Sequence, residues 1–215
     1  MHNYTPRVFL IVGSPASGKD ELIAAVNTIG KLHAEIVPKH TNREVRIDDG
    51  DEMICRNKYS QIGELEPNEQ FDLENCDFIY ENFGTTYGIK TSVIWDKLQN
   101  GVNQVVVVSD REALNQLMGR FGNLAVVVYV YSQITRDEYH ERELMKLKKS
   151  KGTDELSQEE AGYIERRVSE FDKAWNVYVE NFMLFDHVLV YADAQEDLFD
   201  QVFRLFKSYE RGLLR

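Results

Sequence analysis

Apolar and polar positions along the chain fall into blocks that predict strands and helices in alternation. Val8-Phe9-Leu10-Ile11-Val12 is a continuous apolar run, the pattern of a strand buried on both faces. Leu22, Ile23, Val26 and Ile29 then recur at helical spacing, and Gly30 supplies a stop. His33 to Val37 predicts a short second strand closed by Pro38. The stretch from Lys39 to Gly50 is polar, carries Arg43 and Arg46, ends in Asp-Gly and reads as a solvated loop. Met53 to Glu69 has no clean period. Phe78-Ile79-Tyr80 with Phe83 suggests another strand, with Gly84-Thr85-Thr86-Tyr87-Gly88 following it.

In the second half the pattern is clearer. A helix is expected from Thr91, carrying Val93, Ile94 and Leu98 and ending at Asn100-Gly101. Gln104 to Asp110 is the clearest buried strand, and its polar end is where ligands gather in open α/β sheets. A short helix around Ala113 to Met118 precedes a buried strand over Leu124 to Tyr131. Thr135 to Lys151 is charged and helical, and its basic end (Lys146, Lys148, Lys149, Lys151) reads as a solvated face. Ser157 and Glu160 form a capping-box signature after the break at Gly152-Thr153-Asp154. Ile164, Val168, Phe171, Trp175, Tyr178 and Phe182 then make a stripe that predicts core packing. His187 to Tyr191 reads as a last strand. The final helix, from about Ala194, presents Leu198, Val202, Leu205 and Phe206 on one face, with Asp193 as its cap. Alternating strands and helices predict an α/β fold: a mostly parallel sheet covered on both faces, with residues 53–83 as an appended subdomain.

Composition narrows this only modestly. A chain of 215 residues, 43% hydrophobic and 28% charged, is most economically one globular domain. Its longest apolar runs are too short to span a bilayer, and Met1 to Arg7 lacks a signal-peptide core, so a cytoplasmic protein without membrane partners is expected. Cys55 and Cys76 have no nearby His partners and are expected as free thiols. The net charge of −11 argues against a nucleic-acid surface, although local Arg and Lys pockets can still hold a small anion. His33, His40, His140 and His187 form no catalytic triad, because no serine or cysteine sits in a nucleophile context, and His187 is expected to be structural. The exposed-looking aromatics Tyr59, Phe71 and Tyr139 hint at contacts.

Between the first strand and helix lies Gly13-Ser14-Pro15-Ala16-Ser17-Gly18-Lys19-Asp20, which has the spacing of a phosphate-binding loop in its proper strand–loop–helix context. Gly13 and Gly18 let the backbone curl so that its N–H groups, including those of Ser14, Ala16 and Ser17, face an anion. The helix N-terminus adds partial positive charge, and Lys19 reaches the terminal phosphates. Asp20 stands where the motif has the hydroxyl that holds magnesium. A carboxylate can ligate that ion itself, or its charge can weaken nucleotide binding.

With Lys19, Arg43, Arg46, Tyr87 and Asp110 in order, the chain resembles the guanylate kinase family from about Phe9 to Phe206. Thr41-Asn42-Arg43-Glu44-Val45-Arg46 is similar to the family's acceptor-phosphate segment, and Tyr87-Gly88 to its Tyr-Gly. Lys151-Gly152-Thr153-Asp154 and Ile164 to Val168 are similar to its lid. Gly18-Lys19-Asp20 and Tyr87-Gly88-Ile89 also resemble the ribose 1,5-bisphosphate phosphokinases. Some positions depart from the guanylate kinase pattern. Lys39 stands where a small hydroxyl residue meets the acceptor, Glu81 is the candidate for the guanine-reading carboxylate, and Tyr191 replaces the asparagine beside adenine.

The resemblance implies a three-layer P-loop kinase fold in one domain over 1–215. Its core would be 7–38, 101–135 and 185–215, with an acceptor-binding subdomain at about 39–90 and a helical lid at about 136–168. It implies ATP and Mg2+, with Gly13 to Asp20 on the nucleotide and Asp20 on the metal. Arg43, Arg46, Glu81, Tyr87 and Asp110 would bind a small phosphorylated acceptor, a GMP-like nucleotide first. Lys19, Arg142 and Arg167 would stabilise charge in the transfer. Read alone, Arg142 and Arg167 are ordinary ion-pair residues, and Asp110 at a strand end is a site candidate that could instead cap the helix that follows. A sugar-phosphate kinase and a non-catalytic guanylate kinase-like binding module remain as alternatives, although such modules usually lose the loop's Gly and Lys.

Overall fold

Strand β1 (Val8–Val12) is buried along its whole length, which is why it is apolar at every position. The structure, a computed structural model, describes residues 4–42, 53–55, 73–82, 84–151, 155–192 and 195–214. β1 lies at the centre of a five-stranded parallel sheet between β7 (Asn103–Val107) and β8 (Ala125–Ser132), with β2 (Ala34–Ile36) and β9 (His187–Tyr191) at the edges. Successive residues of β1 serve opposite faces. Phe9 and Ile11 pack under α1 (Lys19–Thr28) and α6 (Gln195–Glu210) with Leu22, Val26, Leu198, Val202 and Phe206. Val8, Leu10 and Val12 pack under α2 (Thr91–Gln99) and α3 (Arg111–Phe121) with Ile94, Leu98, Leu114 and Leu117. Truncating Leu10 or Ile11 to Ala should cost roughly 2–5 kcal/mol, because neighbours on a two-faced strand cannot collapse into the gap. At the sheet's edge the Gln201 side-chain amide exchanges two hydrogen bonds with the backbone of Val190, sealing part of a strand that would otherwise invite pairing.

A second sheet follows the order β4 (Met53–Cys55), β3 (Lys39–Thr41), β6 (Thr85–Ile89), β5 (Phe78–Asn82). β3 runs parallel to β4 and antiparallel to β6, which pairs antiparallel with β5. One of these strands corrects an expectation from sequence: Lys39 to Thr41 is a buried strand and not the start of a solvated loop. Thr85 to Ile89, a stretch the sequence left unassigned, is a strand. Gly88 is required there, since a Cβ would come within 2.6 Å of Leu73 and 2.7 Å of the buried Cys76 sulfur. Asp77 ties the second sheet to the first layer. It accepts from the Thr91 N–H at the start of α2 and pairs with Arg120 of α3.

Helices α4 (Arg136–Lys151) and α5 (Gln158–Asn181) pack on each other around Tyr139, Ile164, Val168 and Phe171. Both halves of the Ser157–Glu160 capping box form, fixing where α5 begins. Tyr139, expected at the surface, is 1% exposed and stacks on Phe171. The stripe on α5 departs from expectation in its second half, where Trp175 is 39% and Phe182 62% exposed. There Trp175 packs against Tyr131 and Tyr178 stacks on Tyr129 of the core. His187 is structural, hydrogen-bonded to the Tyr209 hydroxyl at 2.9 Å. Asp193, Tyr59, Phe71 and Phe83 lie outside the described residues.

Candidate active site

β1 is the switch point of the sheet. The chain leaves it toward β2 and β7 on one side and β8 and β9 on the other, so a crevice opens at its carboxyl end. The loop after β1 fills that crevice in a form that few sequences adopt. Ala16 has φ +58° and Gly18 φ +98°, both in the left-handed region. Gly18 is the N-cap of α1, and a Cβ on it would stand 2.8 Å from the Tyr191 ring. A Cβ on Gly13 would stand 2.4 Å from the Ser17 hydroxyl and 2.6 Å from the Val130 carbonyl. Both glycines are therefore dictated by close approach. The Ser17 hydroxyl is fully buried against Gly13 without a hydrogen-bond partner.

Lys19 folds back over this loop and donates to the carbonyls of Gly13 at 2.9 Å and Ser14 at 2.6 Å. Burial lowers the pKa of its ammonium to about 8. Asp20 and Glu21 oppose that shift, while Lys39 and Arg167 reinforce it. Asp20 is exposed on the first turn of α1. Among the described residues no group of three His, Cys, Asp or Glu side chains could hold a metal alone. A curled loop of N–H groups at a helix N-terminus, with a lysine on it, fits a nucleotide's phosphates.

Opposite the loop, one face of the second sheet carries Lys39, Thr41, Tyr87 and Tyr80, since strands place alternate residues on one side. Tyr80 and Tyr87 are cross-strand partners with rings stacked 5.3 Å apart. Burial, then Tyr87 and Asp110, push the Tyr80 hydroxyl well above its ordinary pKa, which puts these three side chains in one neighbourhood. Lys39 donates to the Val107 carbonyl at 3.1 Å, and its ammonium lies 5.5 Å from the centre of the Tyr87 ring.

From α5, the charge of Arg167 acts on Lys19. Its guanidinium is held by Glu143 at 3.3 Å and Glu170 at 2.5 Å. Burial works against its charge, but Tyr139, Glu170 and Glu143 outweigh that and keep it firmly protonated.

No protein-family model matches the sequence, and no curated protein matches it either. Among solved structures, a guanylate kinase from Anaplasma phagocytophilum superimposes with a TM-score of 0.58 at 15% identity, covering 96% of this chain and 87% of that one. The fold is that of the guanylate kinase-like P-loop kinases. A dephospho-CoA kinase from Campylobacter jejuni is a more distant match, at TM-score 0.41 and 12% identity over 95% of this chain and 98% of that one.

The loop residues Gly13, Ser14, Ala16, Ser17, Gly18, Lys19 and Asp20 are contiguous at the head of α1, with Arg167 of α5 near Lys19 and Tyr87 on β6 of the second sheet. Arg142 is exposed on α4, and Lys19's electrostatic partners do not include it. Glu81 is exposed and shares a face with Thr86, opposite to Tyr80 and Tyr87. Asp110 caps α3, accepting from the Ala113 N–H at 2.8 Å, while standing near Tyr80. Arg43, Arg46 and Gly152 to Asp154 lie outside the described residues, as does the side chain of Lys151. The family resemblance placed Lys39 near the acceptor but not in a strand, and sequence pattern missed Tyr80 as a neighbour of Tyr87 and Asp110. Three-residue β3 is too short to show a period, and Tyr80 looked like one more apolar position.

Proposed function

We propose that this protein is an ATP-dependent phosphotransferase acting on a small phosphorylated acceptor. The observation that supports it most is the loop from Gly13 to Asp20: two sterically enforced glycines, two left-handed backbone positions and a lysine at the head of α1. ATP would supply the γ-phosphoryl group. The loop N–H groups would orient the phosphates, and Lys19 would leave its carbonyls to meet the β- and γ-oxygens. Asp20 would hold Mg2+. Arg167, kept charged by its lid carboxylates, would neutralise charge on the group in transfer. Phosphoryl transfer needs little more than such positioning and charge balance. Tyr87, with Arg43 and Arg46 in the reading from sequence, would hold the acceptor phosphate.

For the acceptor we propose a GMP-like nucleotide. The second reading is a sugar phosphate of the ribose 1,5-bisphosphate kind, favoured by the position of Glu81, which leaves β5 presenting Tyr80 where a base-reading carboxylate was expected. A thermal shift with MgATP tests the donor half, since a ligand bound by the folded state alone must stabilise it. At ATP about a hundredfold above its Kd the gain is about 2.7 kcal/mol, a rise of several degrees in Tm. No shift at millimolar MgATP would favour a non-catalytic module. Asp20→Ser should keep or raise the shift, because it restores the hydroxyl usual at this place.

A further inference from the structure

Tyr129 carries a hydroxyl where the strand around it needs only volume. It lies in β8 among Val126, Val127, Val128 and Val130, fully buried in the cluster that holds Leu10 and Val12. Val12, its register partner, is the last residue of β1, so the phenol stands next to the start of the phosphate loop. Burial pushes the pKa of its hydroxyl up to about 12, while the Ser14 hydroxyl and N–H pull the other way, which sets Ser14 beside it. Yet among the described residues the phenol oxygen has no hydrogen bond of ordinary geometry. A buried phenol without such a bond costs stability that phenylalanine would not, since the ring alone fills the space. The ring is also held in place. It stacks on Tyr178 with centroids 4.3 Å apart, and Phe185 packs against it at 5.1 Å. Tyr178 belongs to α5, the helix that carries Arg167.

In the empty protein Ser14, itself buried, is tied down through its carbonyl, which accepts from the Lys19 ammonium at 2.6 Å and from the Ser17 N–H at 3.2 Å. A nucleotide that draws Lys19 onto its phosphates takes the first of these tethers away, and the loop must keep its shape with what is left. We propose that Tyr129 is a positioning residue of the phosphate loop, its oxygen accepting from the Ser14 hydroxyl and holding the loop in its phosphate-binding form once Lys19 has gone to the nucleotide. This rests on the phosphotransferase reading for the donor site. It goes beyond that reading in giving β8 and the aromatic stack on it a part in nucleotide affinity. Because Tyr178 and Phe185 brace the ring, the oxygen meets Ser14 at a fixed place and little freedom is lost on binding.

The test is calorimetric titration of a non-hydrolysable MgATP analogue into the full chain, beside urea denaturation of the same proteins. Tyr129→Phe should weaken the analogue by about threefold to tenfold, the range one neutral hydrogen bond carries, while the urea midpoint stays level or rises. Ser14→Ala should weaken it by a similar factor, and the double variant little more than either, because both changes cut the same contact. Unchanged affinity in Tyr129→Phe overturns the proposal, and so do additive losses in the double variant. A Phe variant that fails to fold, or unfolds at lower urea, shows a structural hydroxyl and overturns it as well. Wild-type protein that binds no analogue removes the donor site and the proposal together, whereas equal binding by wild type and Phe variant removes the proposal alone. If binding depends on Tyr129 and no ATP is consumed with any acceptor, the positioning role stands and the phosphotransferase reading falls.

Discussion

Raising the pH from 7 to 9.5 perturbs the site at one calculable point. In the empty protein the Lys19 ammonium has a pKa of about 8, lowered by burial, opposed by Asp20 and Glu21, and lowered further by Lys39 and Arg167. Its unfolded value is near 10.4. Below pH 8 the lysine is charged in both states and its burial costs stability; that cost is relieved as pH rises from 8 toward 10.4. Bound phosphates act the other way and hold the proton on. Nucleotide affinity should therefore be flat below pH 8 and fall about tenfold per pH unit above it, because binding must then take up a proton. At pH 9.5 only about 3% of empty sites carry the charge, so kcat/KM for MgATP should drop about thirtyfold while kcat at saturation changes little. Initial rates against MgATP concentration across this range decide it. Lys19→Arg should lose the alkaline fall in whatever turnover it retains, since a guanidinium does not titrate there. A kcat/KM that stays level from pH 7 to 9.5 in the wild-type protein would refute the assignment of Lys19 to the donor phosphates.

Other expectations follow from single contacts. Gly13→Ala places a methyl against the Ser17 hydroxyl and the carbonyl of central strand β8, so it should cost about 1–3 kcal/mol by urea denaturation and abolish the MgATP thermal shift. Gly162→Ala, in α5 with nothing near its Cβ, should stabilise by about 0.5–1 kcal/mol and leave that shift intact; a loss there would show that α5 needs the glycine. Glu143→Gln removes one of the two carboxylates on Arg167 and should destabilise by about 1–3 kcal/mol in the same assay, where no change would mean that Glu170 alone suffices.

How much of this was legible in the chain depends on how locally each part is specified. β1, the loop and α1 were readable because a strand buried on both faces is apolar throughout, and a phosphate loop needs glycines at fixed places. The Ser157–Glu160 box was readable because capping is a four-residue affair. The second sheet was not. Lys39-His40-Thr41 is a buried strand only because β4 and β6 flank it, and nothing in three polar residues records those partners. The face to which Glu81 belongs depends on its register with Thr86, which spacing from Tyr87 did not reveal. Burial of Tyr139 and exposure of Phe182 likewise follow from where α4 and α5 meet, a tertiary fact. For Asp110 the sequence offered two roles, and the structure places it near Tyr80 while spending one oxygen on the Ala113 N–H.

The central claim is that the loop, the tyrosine face and Arg167 together move a phosphoryl group. Its most direct test is ATP consumption by the full chain with Mg2+ against GMP, dGMP, the other nucleoside monophosphates and ribose 1,5-bisphosphate, with Lys19→Met as the blank. Consumption that depends on one of these acceptors and vanishes in the lysine variant is the expected result. Full turnover by Lys19→Met, or no acceptor-dependent consumption by a wild-type protein that binds MgATP, would contradict it.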